Sequence, residues 1–231
     1  MIKFNEEEHT YTNTETGELY TSATTVIGKF KKKFDELSKS KEKAEREGVT
    51  QEEILEKWHR VRDQACEYGT YVHKVMENWL LSEKIKDEDY ELYVKPLEQI
   101  WYPEKNKIEP EKRLWNHEFK IAGTTDVYEN NGKYFNLYDF KTNKKFGFTN
   151  PYGDYMLKPL THLPACEYSG YALQLSLYAY MESALSNKKV GELACFYYDR
   201  FEMTWSKINT PYLKLEIETM LNNFKDGNYE I

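Results

Sequence analysis

The order of hydrophobic and polar positions divides the chain into a helical first part and a strand-rich second part. Near the N-terminus, alternation from His9 to Tyr20 predicts a hairpin that turns near residues 15–17. A Lys-rich run at residues 29–34 then leads into a mixture of Lys and Glu that ends at Gly48. This mixture indicates either a solvated helix or a mobile arm.

Three further helices are predicted before residue 105. Thr50 and Glu53 have the spacing of a capping box, and apolar residues follow at helical spacing. We expect Gly69 to separate this helix from a second one over residues 70–82. A third helix with four apolar positions ends before Pro103.

Beyond Pro110 the pattern changes to strands. Three short strands are predicted at residues 114–121, 124–129 and 134–141, with Asn130-Asn131-Gly132 as the turn between the last two. A loop, a helix, two strands and a last helix follow at about residues 142–164, 169–185, 193–198, 203–208 and 211–224. This order predicts one domain over residues 1–231, in which a hairpin and helical part (1–105) precedes a mixed α/β core (106–231).

Composition adds support for a folded protein and excludes several classes. The chain is 40% hydrophobic and 16% aromatic, which allows a sizeable core and argues against a disordered protein. It has no apolar run of about 18 residues or more, and its N-terminus is polar, so we expect no membrane span and a cytoplasmic location in a bacterial or phage-infected cell. The chain has three widely spaced cysteines, Cys66, Cys166 and Cys195. The lack of a CxxC pair argues against a zinc ribbon, and a count of three excludes a four-cysteine iron–sulfur cluster.

The clearest chemical pattern lies on the predicted strands. Asp139 and Lys141 alternate onto one face of a strand end, and the turn brings the strand with Asp126 beside them. Paired carboxylates suit Mg²⁺, and a neighbouring lysine can hold a water or neutralise charge on a phosphate. The alternative is an ordinary strand end with a surface ion pair.

Two helical pairs extend this pattern. His73 and Glu77 lie four residues apart on one helical face, and so do Gln174 and Tyr178. The first pair could reach a metal, while the second could touch phosphate or order the lysine. The alternatives are a helix surface pair and ordinary half-buried helix residues. An HExxH zinc motif is absent, because Lys74 follows the histidine.

In this order the motifs resemble the RecB-like branch of the PD-(D/E)XK nucleases. They are GTxxHxxxE at residues 69–77, GTxD at 123–126, DxKT at 139–142 and QxxxY at 174–178. Residues 20–27 also resemble the leader of single-domain phage and mitochondrial exonucleases in this group. The resemblance implies a restriction-endonuclease-like core, in which helices flank a mixed β-sheet, with a helical N-terminal part.

The resemblance also implies a role for each motif residue at the metal. His73, Asp126 and Asp139 would bind Mg²⁺ or Mn²⁺, with the backbone carbonyl of Phe140 as a further ligand. Lys141 would activate or orient the attacking water.

The remaining motif residues would support this centre. Glu77 would serve a second metal or the ligands of the first, and Gln174 and Tyr178 would fix the lysine and the DNA backbone. Glu111 loosely matches an acidic position before the GTxD strand, and its role stays open.

The net charge of −7 means that DNA binding requires a local basic track. Five lysines are candidates for this track: Lys31, Lys32, Lys33, Lys144 and Lys145. Phe30, Phe34 and Phe146 are available to stack on bases. The alternative is a solvated lysine face.

Together these patterns predict a Mg²⁺- or Mn²⁺-dependent exonuclease that hydrolyses linear duplex or single-stranded DNA from its ends. Phage or bacterial recombination and DNA repair are the expected settings, with a single-strand annealing protein as a possible partner. The alternatives are a structure-selective endonuclease on the same fold and a catalytically silent nucleic-acid-binding or inhibitory module. No Walker A motif is present, so a helicase partner would be a separate chain.

Overall fold

The computed structural model describes residues 1–5, 8 and 10–229. The first part of the chain contains three strands and three helices: β1 (Ile2–Asn5), β2 (Thr10–Asn13), β3 (Leu19–Ser22), α1 (Ala23–Gly28), α2 (Glu36–Glu47) and α3 (Gln51–Leu80). A broken helical segment follows, formed by α4 (Asp87–Asp89), a π-helical turn (Tyr90–Val94) and α5 (Lys95–Glu98). A 3-10 turn, Lys105–Lys107, leads into the second part.

The second part contains five strands and two helices. They are β4 (Ile108–Asn116), β5 (Ile121–Asn131), β6 (Tyr134–Lys141), α6 (Glu167–Ser186), β7 (Lys189–Asp199), β8 (Thr204–Asn209) and α7 (Lys214–Lys225). The predicted hairpin between β5 and β6 turns at Gly132, where φ is +71°. Glycine adopts this left-handed conformation without a steric penalty.

The eight strands in the described part of the chain form one connected mixed sheet. Its order is β1-β2-β3-β5-β6-β7-β8, and β4 pairs with the other edge of β5. The β3–β5 and β6–β7 pairs are parallel, and all other pairs are antiparallel. Because α6 connects the parallel strands β6 and β7, it lies against the sheet.

One edge of β5 is interrupted where its two partners on that side stop. β3 pairs with β5 only as far as Ala122, and β6 begins its pairing at Val127. β4 occupies the opposite edge over almost the whole strand. Residues 123–126, the GTxD motif, therefore border a gap in the sheet.

Helices cover both faces of the sheet, so the core has two main clusters. Phe135 and Leu137 of β6 pack with α1, α6 and α7 on one face. Tyr138 and Phe140 pack with α3 and the broken helical segment on the other. The mixed α/β fold with flanking helices that the sequence predicts is confirmed.

In the first part of the chain, the structure corrects the predicted helix boundary at Gly69 and decides between the two alternatives for the Lys/Glu mixture. α3 is a single helix of 30 residues that runs through Gly69, because an internal glycine costs only about 1 kcal/mol and the buried half of α3 outweighs that cost. The Lys/Glu mixture forms α2, which is capped by Asp35 and ends at Gly48 with φ +69°. The capping box at Thr50 and Glu53 is present.

Smaller differences concern the strands. The predicted opening hairpin is a three-stranded meander, and His9 lies outside the described residues. β4 begins at Ile108 rather than near residue 114. Among described strands it pairs only with β5, and an edge strand tolerates Pro110. Within the described ranges, no helix has both the length and the apolar character needed to cross a membrane.

Candidate metal centre

A cavity of about 610 Å³ opens beside the gap in the sheet, between helix α3 and strands β4 and β5. It is lined from α3 by Gly69, His73 and Glu77, and from the sheet by Glu111 and Asp126. The motifs on α3 and β5 therefore meet in one cavity.

His73 of α3 and Asp126 of β5 form an ion pair in this cavity. His73 Nδ1 lies 3.4 Å from Asp126 Oδ2. Burial opposes protonation of the imidazole, but the carboxylate of Asp126 outweighs it and raises the pKa of His73 to about 9. Burial likewise opposes charge on Asp126, yet the imidazolium holds the pKa of that carboxyl below its usual value. The pair is therefore charged at neutral pH.

Glu111 lies opposite Asp126 on the neighbouring strand and completes a group of three donors. Single ligand atoms of His73, Glu111 and Asp126 all lie within 4.8 Å of one another. Burial and the nearby Asp126 raise the pKa of Glu111 to about 8. Its backbone has φ +50°, a conformation that costs a non-glycine residue about 1–3 kcal/mol. Such strain is common where a side chain is held for function.

Asp139 and Lys141 lie next to this group, on the α6 side. Their side chains form a close ion pair, in which the Asp139 side chain is 3% exposed and the Lys141 side chain is 16% exposed. Burial, and next the charge of Asp126, raise the pKa of Asp139 to about 6. Burial disfavours the ammonium of Lys141, but the two aspartates outweigh it and raise the lysine pKa above its usual value. Lys141 therefore remains a cation.

Gln174 of α6 contacts both members of this ion pair, and Tyr178 contacts Gln174. Gln174 Nε2 donates to Asp139 Oδ1 at 3.3 Å, and Lys141 Nζ donates to Gln174 Oε1 at 3.4 Å. Gln174 Nε2 also donates to the hydroxyl of Tyr178 at 3.2 Å. Tyr178 is only 4% exposed, so its hydroxyl orders the glutamine and has little surface to offer a DNA backbone.

The backbone of Phe140 faces the gap. Its N–H donates to Asp126 Oδ2 at 2.6 Å, in the position where pairing between β5 and β6 has ended. The N–H and C=O of a strand residue point to the same edge, so the carbonyl of Phe140 is directed into the same gap.

Glu77 lines the cavity but stands apart from the three grouped donors. Its carboxylate pairs with Lys74 Nζ at 2.8 Å, one turn along α3. Glu77 lines the cavity together with Arg113.

The five lysines predicted to bind DNA lie in two places. Lys31, Lys32 and Lys33 line a second cavity beside α2, and Lys144 and Lys145 are exposed in the loop after β6. Of the three phenylalanines, Phe30 is fully buried and cannot stack on a base, so this expectation was wrong. Phe34 is exposed, and Phe146 packs against neighbouring aromatic rings.

The sequence assigns no definite role to Glu111 and gives no signal for Arg113 or Tyr11, although all three line the cavity. Glu111 lies three residues before the first predicted strand of the core, and only its left-handed backbone marks it as unusual. Tyr11 comes from β2 and its hydroxyl lies 3.1 Å from that of Thr124. No local pattern signals a contact between residues 113 positions apart.

Gly123 is required by the position of Tyr178. A Cβ at this position would overlap the buried ring of Tyr178 and contact Ala23 of α1 at 3.3 Å. We expect Gly123→Ala to lower the free energy of unfolding by about 1–3 kcal/mol, since the ring has no free space to enter. Denaturant unfolding checks this, with Gly132→Asn, which suits a left-handed turn, as the tolerated control.

The donor set fits a divalent cation. Carboxylate oxygens suit Mg²⁺ and Mn²⁺, and an imidazole ligand favours a transition metal such as Mn²⁺ over Mg²⁺. The positively charged imidazolium of His73 lies among the carboxylates in the metal-free protein. A bound cation would take over the neutralisation of that negative charge.

Comparison with known proteins finds no matching protein-family model and no matching curated protein. Similar solved structures include a candidate exonuclease from Eubacterium rectale, with 11% identity and a TM-score of 0.41, over 70% of this chain and 68% of the other. Another is SSO0001, with 19% identity and a TM-score of 0.31, over 55% of this chain and 53% of the other. These similarities are too weak to support a functional conclusion. The proposed function therefore rests on the chemistry of the candidate metal centre.

Proposed function

We propose that the protein is a Mg²⁺- or Mn²⁺-dependent nuclease of the PD-(D/E)XK type that hydrolyses phosphodiester bonds of DNA. The observation that carries the proposal is the convergence of three metal donors, His73, Glu111 and Asp126, beside the buried pair of Asp139 and Lys141. Asp126 on β5 and the pair of Asp139 and Lys141 on β6 belong to the motifs that resemble the PD-(D/E)XK nucleases.

Each residue has a role that follows from its surroundings. His73, Glu111 and Asp126 would hold the cation, and Asp139 and the carbonyl of Phe140 lie next to them as further donors. A bound divalent cation would polarise a phosphoryl oxygen and lower the pKa of a water.

Lys141 stays protonated, so it donates hydrogen bonds and does not accept the proton of the attacking water. Its charge is suited to stabilise negative charge that develops on the phosphate. Gln174, which contacts both Lys141 and Asp139, positions the ammonium and is a positioning residue.

We further propose that hydrolysis proceeds from DNA ends, because residues 20–27 resemble the leader segment of exonucleases. The test is a time course with linear duplex and single-stranded DNA, labelled separately at each end, with Mg²⁺, with Mn²⁺ or with a chelator. Metal-dependent shortening from one end is the expected result. Cleavage of a covalently closed circle would identify an endonuclease instead, and no cleavage with either metal would leave a binding module.

Glu111 can be tested against a matched glutamate on the same strand. We expect Glu111→Gln to weaken Mn²⁺ binding about tenfold or more, because it removes one charged ligand of the group. Glu109→Gln is the control, since Glu109 pairs with Lys112 at 3.5 Å and does not line the cavity. Calorimetric titration with Mn²⁺ measures both variants. Equal affinities would remove Glu111 from the metal centre.

Metal affinity should rise with pH between about 7 and 9. His73 and Glu111, with pKa values of about 9 and about 8, still hold protons at pH 7 in the metal-free protein. The cation must displace these protons, so their loss at higher pH favours binding. Titrations in buffers with different ionisation enthalpies would show proton release at pH 7, and a flat pH profile would contradict the assignment.

A further inference from the structure

A second cavity of about 730 Å³ lies between α2, α3 and the loop before α6. We call it the basic groove and define it by the six cations that line it: Lys31, Lys32, Lys33, Lys39, Lys43 and Arg46. Three carboxylates share the lining, which leaves an excess of positive charge on a protein with a net charge of −7. Such a local excess attracts an anion against the overall charge.

Much of the negative charge in the basic groove is already engaged. The carboxylate of Asp35 accepts the N–H of Ser38 at 3.0 Å as the cap of α2, and Glu42 pairs with Lys39 at 2.8 Å. Within residues 1–5, 8 and 10–229, Lys32, Lys33 and Arg46 form no ion pair within 4.0 Å. These three exposed cations are free to contact phosphate.

Aromatic rings stand beside the cations. Trp58 of α3 is half-buried, with the ring of Phe34 at 5.7 Å and the ammonium of Lys43 at 5.6 Å. Phe34 is 68% exposed and Tyr152 is 88% exposed. Rings that remain exposed next to cations form a platform on which unpaired bases can stack.

Lys31 links the basic groove to the candidate metal centre. Its ammonium lies against Gly170 of α6, 2.6 Å from the position that a Cβ would occupy. Gly170 precedes Gln174 by one helical turn, and Gln174 contacts Lys141. The charge of Lys141 contributes to the lowered pKa of Lys31, after burial, the largest cause. A strand bound in the groove would thus lead toward the reacting phosphate.

The dimensions and chemistry favour a single strand over a duplex. The volume matches pockets that hold small groups, ~300–1000 Å³, so it admits a nucleotide or a few and excludes a double helix. Bases within a duplex are stacked on one another, whereas a single strand presents free faces to Trp58, Phe34 and Tyr152.

We propose that the basic groove binds single-stranded DNA, with phosphates on Lys32, Lys33 and Arg46 and a base stacked on Trp58. The proposal rests on the proposed nuclease function for its choice of DNA. It adds that the protein engages a single-stranded segment outside the metal centre.

The test measures binding in EDTA, where hydrolysis is not required. The probes are a fluorescent 20-nucleotide oligo(dT) and a blunt 20-base-pair duplex, titrated over a range of salt concentrations. We expect Lys32→Ser/Lys33→Ser/Arg46→Ser to weaken oligo(dT) binding tenfold or more and to make its salt dependence shallower by about 2 in slope, at about 0.7 for each phosphate contact. Duplex binding should change less than twofold.

Trp58→Ala provides an independent variant. It should weaken oligo(dT) binding by about tenfold and leave the salt slope unchanged, because stacking releases no counterions. The charge control is Lys84→Ser/Lys133→Ser/Lys189→Ser, which removes three exposed cations outside the basic groove. Circular dichroism verifies that each variant keeps its helical content.

The outcomes separate the two proposals. Unchanged oligo(dT) binding by both groove variants, or an equal loss of duplex binding, would overturn the basic groove as a single-strand site. If the control variant weakens oligo(dT) binding as much as the groove variant does, the loss reflects overall charge and the basic groove is not a binding site. If wild-type protein shows no metal-dependent cleavage while groove variants still lose oligo(dT) binding, the nuclease function fails and the groove stands.

Discussion

Replacing Lys141 with alanine is expected to lower the rate of DNA hydrolysis by at least about a thousandfold while DNA binding survives. The ammonium is the cation nearest to Asp139, it stays protonated, and Gln174 holds it in place. Removing one donor that stabilises developing charge costs on the order of 10²–10³ in rate, and a fully charged donor costs more. Single-turnover digestion with Mn²⁺ measures the rate. Equal cleavage by wild type and variant would contradict a role of Lys141 in hydrolysis.

The variant also breaks a buried ion pair, so stability has to be measured beside activity. Loss of one partner of such a pair costs about 3–5 kcal/mol, because the remaining charge is left without compensation. The double change Lys141→Ala/Asp139→Asn removes both charges and should recover part of this stability. It should recover none of the activity, and a catalytically competent double variant would mean that Lys141 acts only on folding.

Replacing Asp126 with asparagine is expected to abolish both metal binding and cleavage. Asp126 contacts His73 and the N–H of Phe140, and it belongs to the donor group. Asparagine can still accept the hydrogen bond from Phe140, but it lacks the charge that a cation requires. Changes around a metal ligand cost 10–100-fold in affinity, and loss of the ligand itself costs at least about a hundredfold.

The same variant has a second readout that does not depend on metal. The pKa of His73 is raised to about 9 by the charge of Asp126, against the effect of burial. Without that charge burial dominates, so the pKa of His73 should fall below its ordinary value, as a proton NMR titration would show. Asp63→Asn, which changes an exposed aspartate on α3, is the matched control. An unaltered His73 titration would contradict the ion pair.

Local chemistry explains which parts of the fold could be predicted from the sequence. The turn at Asn130-Asn131-Gly132 requires positive φ, and the alternation along β6 assigns Asp139 and Lys141 to one face. The capping box at Thr50 starts α3 by satisfying N–H groups within one turn. Each of these signals acts over a few residues, and each matches the structure.

The remaining features depend on contacts between distant segments. Gly69 was expected to end a helix, but packing of α3 against the sheet overrides a weak local preference. Glu111 belongs to the donor group because β4 pairs with β5, a register that no local motif encodes. The basic groove likewise combines residues from α2, α3 and the loop before α6. The sequence therefore indicates local elements better than it indicates contacts between distant segments.

The short parallel pairing of β3 with β5 has a consequence for the order of folding. It joins Thr21 to Ile121 and Ser22 to Ala122, residues one hundred positions apart. The β4–β5 and β5–β6 pairs close over a few residues and can form early, whereas distant parallel pairing is slow. During synthesis, β3 must wait for its partner to emerge. We therefore expect β3, which borders the gap beside Asp126, to join a sheet that has already formed, so that the candidate metal centre is completed late in folding.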